Sequence, residues 1–166
     1  MQTKNKYFKP VDKADIKKIL FNSPSHRKYF NRGKNTHYDL INAVDFLCDK
    51  GTDVKAALDG IIFRIENGFT KTWKKLKIPP KEKMTIKEQD GNFVIIKHEN
   101  DEFSIYSHLK TDSIKIEVGD SIKQGEVIAK SGDTGWSIKP HLHFMVFKLG
   151  KNKLKSLKIQ WKNKSV

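Results

Sequence analysis

The stretch GNFVIIKHENDEFSIYSHL, residues 91–109, decides the fold class of this chain. It contains two apolar runs, NFVIIKHE and FSIYSHL, separated by the turn-forming pair Asn100-Asp101. Each run has the length and the β-branched and aromatic content of a buried strand. Because so few residues separate the two runs, they are expected to pair as antiparallel neighbours. The sequence therefore predicts a β-rich protein that extends outward from this hairpin.

Similar short segments lie on both sides of this hairpin and predict a compact all-β domain, an antiparallel sheet or sandwich. They are NAVDFL (42–47), DVKAALDGIIFRIE (53–66, broken at the hairpin-type turn Asp59-Gly60), SIKIEV (113–118), DSIKQGEVIAKSG (120–132), HLHFMVFKLG (141–150) and LKSLKIQW (154–161). One short N-terminal helix is predicted in VDKADIKKIL (11–20), where Ile16, Ile19 and Leu20 have helical spacing.

The length of 166 residues fits one globular unit. We expect an N-terminal extension over residues 1–36 and the main domain over residues 37–166. Residues 67–91 are rich in lysine and read as a long excursion. This excursion is either a variable surface loop or a groove wall on which Trp73 packs.

Composition limits the classes of partner and site. The net charge of +14 implies affinity for polyanions, such as nucleic acid, anionic membranes or anionic cell-wall polymers. No RNA-binding or helix-turn-helix pattern accompanies the charge, so specific nucleic-acid binding is not expected. No run reaches the roughly 18 apolar residues of a membrane span. Cys48 is the only cysteine, so a metal would need histidine and carboxylate ligands.

Two histidines one residue apart give the first sign of a site. His141 and His143 would point to the same face of a strand, about 6.6 Å apart, although such a pair also suits the polar face of an edge strand. Asp45 lies in an apolar strand, where a carboxylate needs a lysine or a metal as partner. His37, Asp45 and His143 would supply the three protein ligands of a catalytic zinc site, with His108 and His141 near the metal.

Three longer segments resemble the lysostaphin/LytM family of zinc endopeptidases, which cleave peptidoglycan peptides. The segments are HYDLINAVDFLCDKGTDVKAALDG (37–60), GNFVIIKHENDEFSIYSHL (91–109) and VGDSIKQGEVIAKSGDTGWSIKPHLHF (118–144). They stand in the family's order and cover most of the chain. The resemblance implies a duplicated hybrid motif-like β-fold with a catalytic groove, and a zinc-dependent endopeptidase that acts on stem peptides or cross-bridges through a metal-activated water.

The resemblance also assigns residues. His37, Asp45 and His143 are the implied ligands of one zinc ion per chain, and His108 and His141 are the implied catalytic histidines. They would exchange protons with the water and the leaving amine or stabilise the oxyanion. The implied partners are peptidoglycan or a similar peptide, with anionic wall polymers as a second class. The implied location is the cell envelope or the exterior, although residues 1–20 lack the apolar core of an export signal.

The ligand assignment leaves alternatives open. Many members have three residues between the first histidine and the aspartate, whereas seven separate His37 from Asp45. His26 or Asp39 therefore competes with His37 as a ligand. His98 matches a recurrent family histidine that is not a ligand, and a structural role is expected for it.

Two alternative functions remain at this stage. One is a non-catalytic module of the same fold that binds cell wall or a partner protein. The other is a biotinyl or lipoyl carrier, because VGDSIKQGEVIAK (118–130) resembles the turn region of such domains. The segment EVIAKSG lacks the usual dipeptide before the modified lysine, so shared β-architecture is the preferred explanation.

Overall fold

The computed structural model describes residues 1–21, 23, 26, 39–73, 85–151 and 154–162. Over these ranges the protein is built mainly from antiparallel β-strands, which confirms the predicted fold class. The strands are β1 (Gln2–Tyr7), β2 (Lys18–Phe21), β3 (Val44–Leu47), β4 (Asp53–Lys55), β5 (Gly60–Glu66), β6 (Asn92–Lys97), β7 (Phe103–Leu109), β8 (Ser121–Ile122), β9 (Val127–Lys130), β10 (His141–Leu149), β11 (Leu154–Ser156) and β12 (Lys158–Trp161).

The largest sheet has the order β2-β3-β10-β7-β6-β5-β8, and β11 pairs with the far end of β10. The hairpin that decides the fold class forms as predicted, with β6 and β7 paired antiparallel in its centre. β4 and β9 form a separate pair, and so do β1 and β12. The short helix α1 (Ile86–Asp90) is capped by Thr85 and Glu88 in a capping box and leads directly into β6.

The two faces of the large sheet bury different apolar clusters, because neighbouring residues of a strand point to opposite faces. Phe46, Phe144 and Tyr106 belong to the larger cluster on one face. Met145 and Ile105, which alternate with those residues along β10 and β7, belong to a smaller cluster on the other face. This second face also carries the histidines of the candidate site.

The predicted N-terminal helix is wrong. Only Lys13–Asp15 form a short 3₁₀ turn, and Lys18–Phe21 form the edge strand β2 beside β3. Pairing with β3 satisfies the backbone of this segment and lets Ile19 pack against the larger core, so tertiary contacts override the local spacing. No helix among the described residues is long and apolar enough to span a membrane.

The expected division at residue 37 stays a prediction. β1 runs parallel to β12, and β2 lies against β3, so both described strands of the first 36 residues pair with strands of the rest of the chain. The carboxylate of Glu102 is fully buried and accepts hydrogen bonds from the backbone of Asn5 and the hydroxyl of Tyr7. These contacts attach the N-terminal strand to the central hairpin.

Two smaller expectations also fail. Asp59-Gly60 does not close a hairpin, because β4 pairs with β9 whereas β5 pairs with β6 and β8. Residues 113–118 form no strand.

In the excursion over residues 67–91, residues 74–84 lie outside the described residues. The backbone N–H of Trp73 donates to the carbonyl of Gly135 at 2.8 Å, which attaches the start of the excursion to the loop before β10.

Candidate metal centre

One cross-strand row brings two of the predicted ligands, Asp45 and His143, side by side. In β10, His143 lies directly across from Asp45 of β3 on one side and from Ser107 of β7 on the other. His141 lies two residues earlier on the same face, across from Leu47. The same-face arrangement of His141 and His143 predicted from the sequence is therefore present, and β10 lies inside the sheet rather than at its edge.

Asp45 is the acidic centre of the cluster and is 6% exposed. Its Oδ1 lies 2.9 Å from Nδ1 of His143 and 3.7 Å from Nε2 of His141. Its Oδ2 lies 3.4 Å from Nε2 of His26. Burial opposes ionisation, but the hydrogen bonds of His143 and His26 outweigh it and hold the pKa of Asp45 well below its usual range. Burial likewise opposes the charged form of His143, yet Asp45 raises its pKa.

His26, the histidine that competes with His37 as third ligand, lies beside Asp45 and His143. The His26 ring is 6% exposed and meets the ring of His143 edge-on, with 4.9 Å between centroids. His37 lies outside the described residues. The other competitor, Asp39, accepts hydrogen bonds from the hydroxyl of Ser156 and from the backbone N–H of Ile41, and it is not part of the cluster.

His108 reaches the site because the backbone of β7 is irregular there. Phe93 of β6 lies opposite two residues of β7, Ser107 and His108, which is the pattern of a β-bulge. His108 has a φ of 62°, a left-handed conformation that side chains rarely adopt. In a regular strand His108 would point away from its neighbour Ser107. The bulge instead places its ring 4.7 Å from the ring of His141, between centroids.

The hydrogen bonds of His108 and His141 define their protonation. Nδ1 of His108 lies 2.8 Å from the carbonyl oxygen of Thr134, and Nδ1 of His141 lies 2.7 Å from that of Lys139. A carbonyl only accepts, so each Nδ1 carries the proton, and each neutral ring keeps Nε2 as an acceptor. Burial lowers the pKa of both histidines, and the charges of neighbouring histidines contribute in the same direction.

The donor set suits zinc. His26, Asp45 and His143 offer ligand atoms within 4.8 Å of one another, and so do His108, His141 and His143. Nε2 of His143 and Nδ1 of His26 are buried and have no hydrogen-bond partner among the described ranges, which is costly for polar atoms unless the site binds a ligand. Imidazole nitrogens with one carboxylate oxygen are the ligands of catalytic zinc sites.

The cluster lies in the wall of an open cavity of about 430 Å³. Its other lining residues include apolar side chains, two lysines and a buried acid. The carboxylate of Asp90, at the end of α1, is 2% exposed and accepts a hydrogen bond of 2.7 Å from the hydroxyl of Ser107. Trp136 lines the cavity, whereas Trp73, the aromatic residue expected at the groove, does not.

Sequence reasoning missed part of this site. His26 was considered only as a competitor, because no spacing rule favours a histidine so far upstream of Asp45. Asp90 and Ser107 were not singled out, since only the fold brings α1 beside β7. His98 lies apart from the cavity, with Nδ1 2.7 Å from the carbonyl oxygen of Asp59 and Nε2 2.7 Å from the hydroxyl of Ser104. These contacts fit the structural role expected for it.

Known proteins resemble this chain over most of its length. An uncharacterised metalloprotease of Buchnera aphidicola is 29% identical over 87% of this chain and 35% of its own length. The peptidoglycan DD-endopeptidase ShyC of Vibrio cholerae is 32% identical over 60% of this chain and 18% of its own. The chain therefore spans only about a fifth to a third of these curated relatives.

Solved structures show the same fold. The catalytic domain of the antimicrobial peptidase lysostaphin from Staphylococcus simulans superposes with a TM-score of 0.50 at 25% identity, over 73% of this chain and 80% of that domain. The sequence pattern of peptidase family M23 matches residues 39–155, which include β3, β7 and β10 with Asp45, His108, His141 and His143. The chain therefore belongs to peptidase family M23.

Proposed function

We propose that this protein is a zinc-dependent endopeptidase that hydrolyses peptide bonds of peptidoglycan, within the stem peptides or their cross-bridges. One observation carries the proposal. A buried carboxylate, Asp45, is surrounded by His26, His141 and His143 at the wall of an open cavity. The peptidoglycan endopeptidase ShyC among the relatives supports the choice of substrate.

His26, Asp45 and His143 would hold the zinc. When bound, zinc supplies a Lewis acid that polarises a peptide carbonyl and acidifies a water molecule. Asp45 is ionised in the folded protein and offers the one negative charge of this ligand set. The second ring nitrogen of His26 and that of His143 are buried and have no hydrogen-bond partner in the part of the chain that the structure describes, so each is available to bind the ion.

His108 and His141 would move the protons. Because each Nδ1–H is held by a backbone carbonyl, Nε2 can accept a proton from the attacking water and later deliver it to the leaving amine nitrogen. Their lowered pKa keeps both rings neutral and ready to accept at neutral pH. An imidazolium formed in this way would also stabilise negative charge on the carbonyl oxygen.

The first test combines metal analysis with product analysis. Protein that is stripped with a chelator and reloaded with zinc should contain about one zinc per chain and release fragments from purified peptidoglycans, which mass spectrometry identifies. His143→Ala should lose both zinc and activity. His108→Ala should keep zinc and lose roughly 10²–10⁴-fold in rate. Full activity of zinc-loaded His143→Ala would contradict the mechanism. Bound zinc without fragments from any peptidoglycan would instead favour a non-catalytic wall-binding module.

The second test identifies the third ligand. His26→Ala should weaken zinc binding by several orders of magnitude, because it removes one of three protein ligands. His37→Ala is the matched control and should bind zinc as the parent does. Titration against a chelating dye measures both affinities. If His37→Ala loses zinc and His26→Ala retains it, the ligand implied by the family resemblance is correct, and the contact between His26 and Asp45 has another role.

A further inference from the structure

Two lysines in the cavity have no acidic partner among the described residues. Lys18 of β2 and Lys139, just before β10, both line the cavity that holds the histidine cluster. Neither forms an ion pair with any residue that the structure describes. Six other lysines within the described ranges do form such pairs, namely Lys17, Lys50, Lys55, Lys87, Lys123 and Lys130.

The acids of the cavity do not neutralise these lysines. Asp45 is engaged by His26 and His143, and Asp90 accepts the hydrogen bond of the Ser107 hydroxyl. Both carboxylates are buried beneath the cavity wall, whereas Lys18 and Lys139 are exposed. The solvent-facing part of the cavity is therefore positively charged, while its floor carries the negative charge that suits a metal.

Both lysines lie close to His141. Lys18 lies directly across from Leu47, which lies directly across from His141, so the three share one face of the sheet. With strands about 4.8 Å apart, the Cα atoms of Lys18 and His141 are roughly 10 Å apart. Lys139 is two residues before His141, and its carbonyl holds Nδ1 of that histidine. Two cations thus stand within side-chain reach of the residue that would handle the reacting bond.

We propose that Lys18 and Lys139 form a carboxylate-binding subsite, which makes the protein select peptides that carry a free carboxylate next to the scissile bond. The inference rests on the proposed function and adds a substrate class to it. Successive residues of an extended peptide advance about 3.3–3.6 Å, so the selected carboxylate lies within about three residues of that bond. It is a side-chain or terminal carboxylate of the substrate.

Apolar residues around the two lysines would strengthen their binding of a carboxylate. Leu20, Leu47 and Ile138 line the same cavity, and a bound peptide would cover them and exclude water from the lysines. Attraction between an ammonium and a carboxylate rises as the local dielectric falls. The same apolar side chains would accept small aliphatic groups of the peptide, but they give no preference for charge. Discrimination between a carboxylate and a carboxamide would depend on the two lysines.

The experiment uses one peptidoglycan preparation in two forms, untreated and with its peptide carboxylates converted to carboxamides by a carbodiimide and ammonium chloride. Parent protein should cleave the untreated form with a kcat/KM about tenfold higher or more, as expected for the loss of a hydrogen-bonded charge pair. Lys18→Gln/Lys139→Gln should lose that preference, mainly through KM. Its matched control is Lys155→Gln/Lys158→Gln, which removes the same charge from two exposed lysines that do not line the cavity.

Each outcome bears on the inference. Equal cleavage of both forms by the parent, or an unchanged preference in Lys18→Gln/Lys139→Gln, would overturn it while leaving the proposed endopeptidase intact. An equal loss in the control would assign the effect to net charge and would also overturn it. If the zinc-loaded parent cleaves neither form, the proposed function itself has failed. Selective loss of the preference in the cavity variant alone supports the subsite.

Discussion

At the scale of single residues, the carboxylate beside the proposed ligand His143 is as informative as the proposed ligands. Asp90 is buried and hydrogen-bonded to Ser107, the residue directly across from His143. Its charge favours the protonated form of His143. Carboxylates behind ligand histidines commonly orient the ring and raise its basicity. We therefore expect Asp90 to influence His143 through its charge and through Ser107, without being a ligand itself.

We expect Asp90→Asn to lower zinc affinity by about tenfold, the lower end of the usual effect of removing a carboxylate near a ligand histidine, while leaving the fold intact. The change is nearly isosteric, and the hydroxyl of Ser107 can still donate to the amide oxygen. Competition with a chelating dye measures the affinity. Asp53→Asn, which removes an exposed carboxylate paired with Lys130, is the control and should bind zinc normally. Unchanged affinity in Asp90→Asn would show that Asp90 has no influence on the ligand.

At the scale of elements, the end of α1 and the loop before β10 touch through two glycines. Gly91 has a φ of 65° and Gly135 a φ of 76°. A Cβ added at Gly135 would lie 2.3 Å from the backbone nitrogen of Gly91. The adjacent carbonyl of Thr134 holds His108, and Trp136 lines the cavity. This backbone contact therefore positions both a proposed catalytic histidine and the cavity wall.

Gly135→Ala should reduce the free energy of unfolding by about 3 kcal/mol or more, because a strained left-handed backbone and overpacking act together. Two other glycines separate these causes. Gly51 has a φ of 94°, but an added Cβ would meet open space. Gly51→Ala should therefore reduce the free energy of unfolding by only about 1–2 kcal/mol. Gly68→Ala lies in open space without a positive φ and should be nearly neutral. Urea denaturation measures all three; equal losses in Gly135→Ala and Gly51→Ala would exclude the contact as a cause.

At this scale, some strands could be predicted from the sequence and others could not. The hairpin of β6 and β7 could be predicted because its apolar runs and turn agree with its tertiary role. The segment 11–20 could not, since spacing that suits a helix also suits an edge strand once β3 is available to pair with it. Asp45 and His143 were found through local pattern. The bulge at His108 and the approach of His26 depend on contacts between distant segments, which no local pattern encodes.

At the scale of the whole molecule, the pH dependence of stability should reflect one buried histidine, His98, and the residues that contact it. His98 lies 5% exposed between Asp59 and Ser104, and its ring meets that of Tyr7 edge-on. Burial lowers the pKa of His98, and the hydrogen bond to the Asp59 carbonyl and the charge of Glu102 offset only part of this effect. The network joins β1, β6, β7 and the start of β5, so its loss affects several elements.

Stability should therefore fall as the pH falls below about 6.5. In that range the unfolded imidazole takes up a proton, whereas folded His98 with its lowered pKa does not, so protons favour the unfolded state. The stability that depends on neutral His98 is fully present above about pH 6.5. It is lost as the pH falls from 6.5 toward the lower pKa of His98 in the folded protein. Urea titrations at about pH 7.5 and 5.5 should show a smaller difference in His98→Gln than in the parent. An equally steep loss in the variant would contradict the neutral state of His98.

The parallel pairing of β1 with β12 also has a mechanical consequence. Gln2 lies beside Lys158 and Tyr7 beside Trp161, so the two strands run in the same direction. A force that stretches the chain between residues 1 and 162 would pull these strands past each other along their length. Their hydrogen bonds would share the load and break together rather than one after another. The pair of β1 and β12 should therefore resist stretching more strongly than a strand pair whose hydrogen bonds break one at a time.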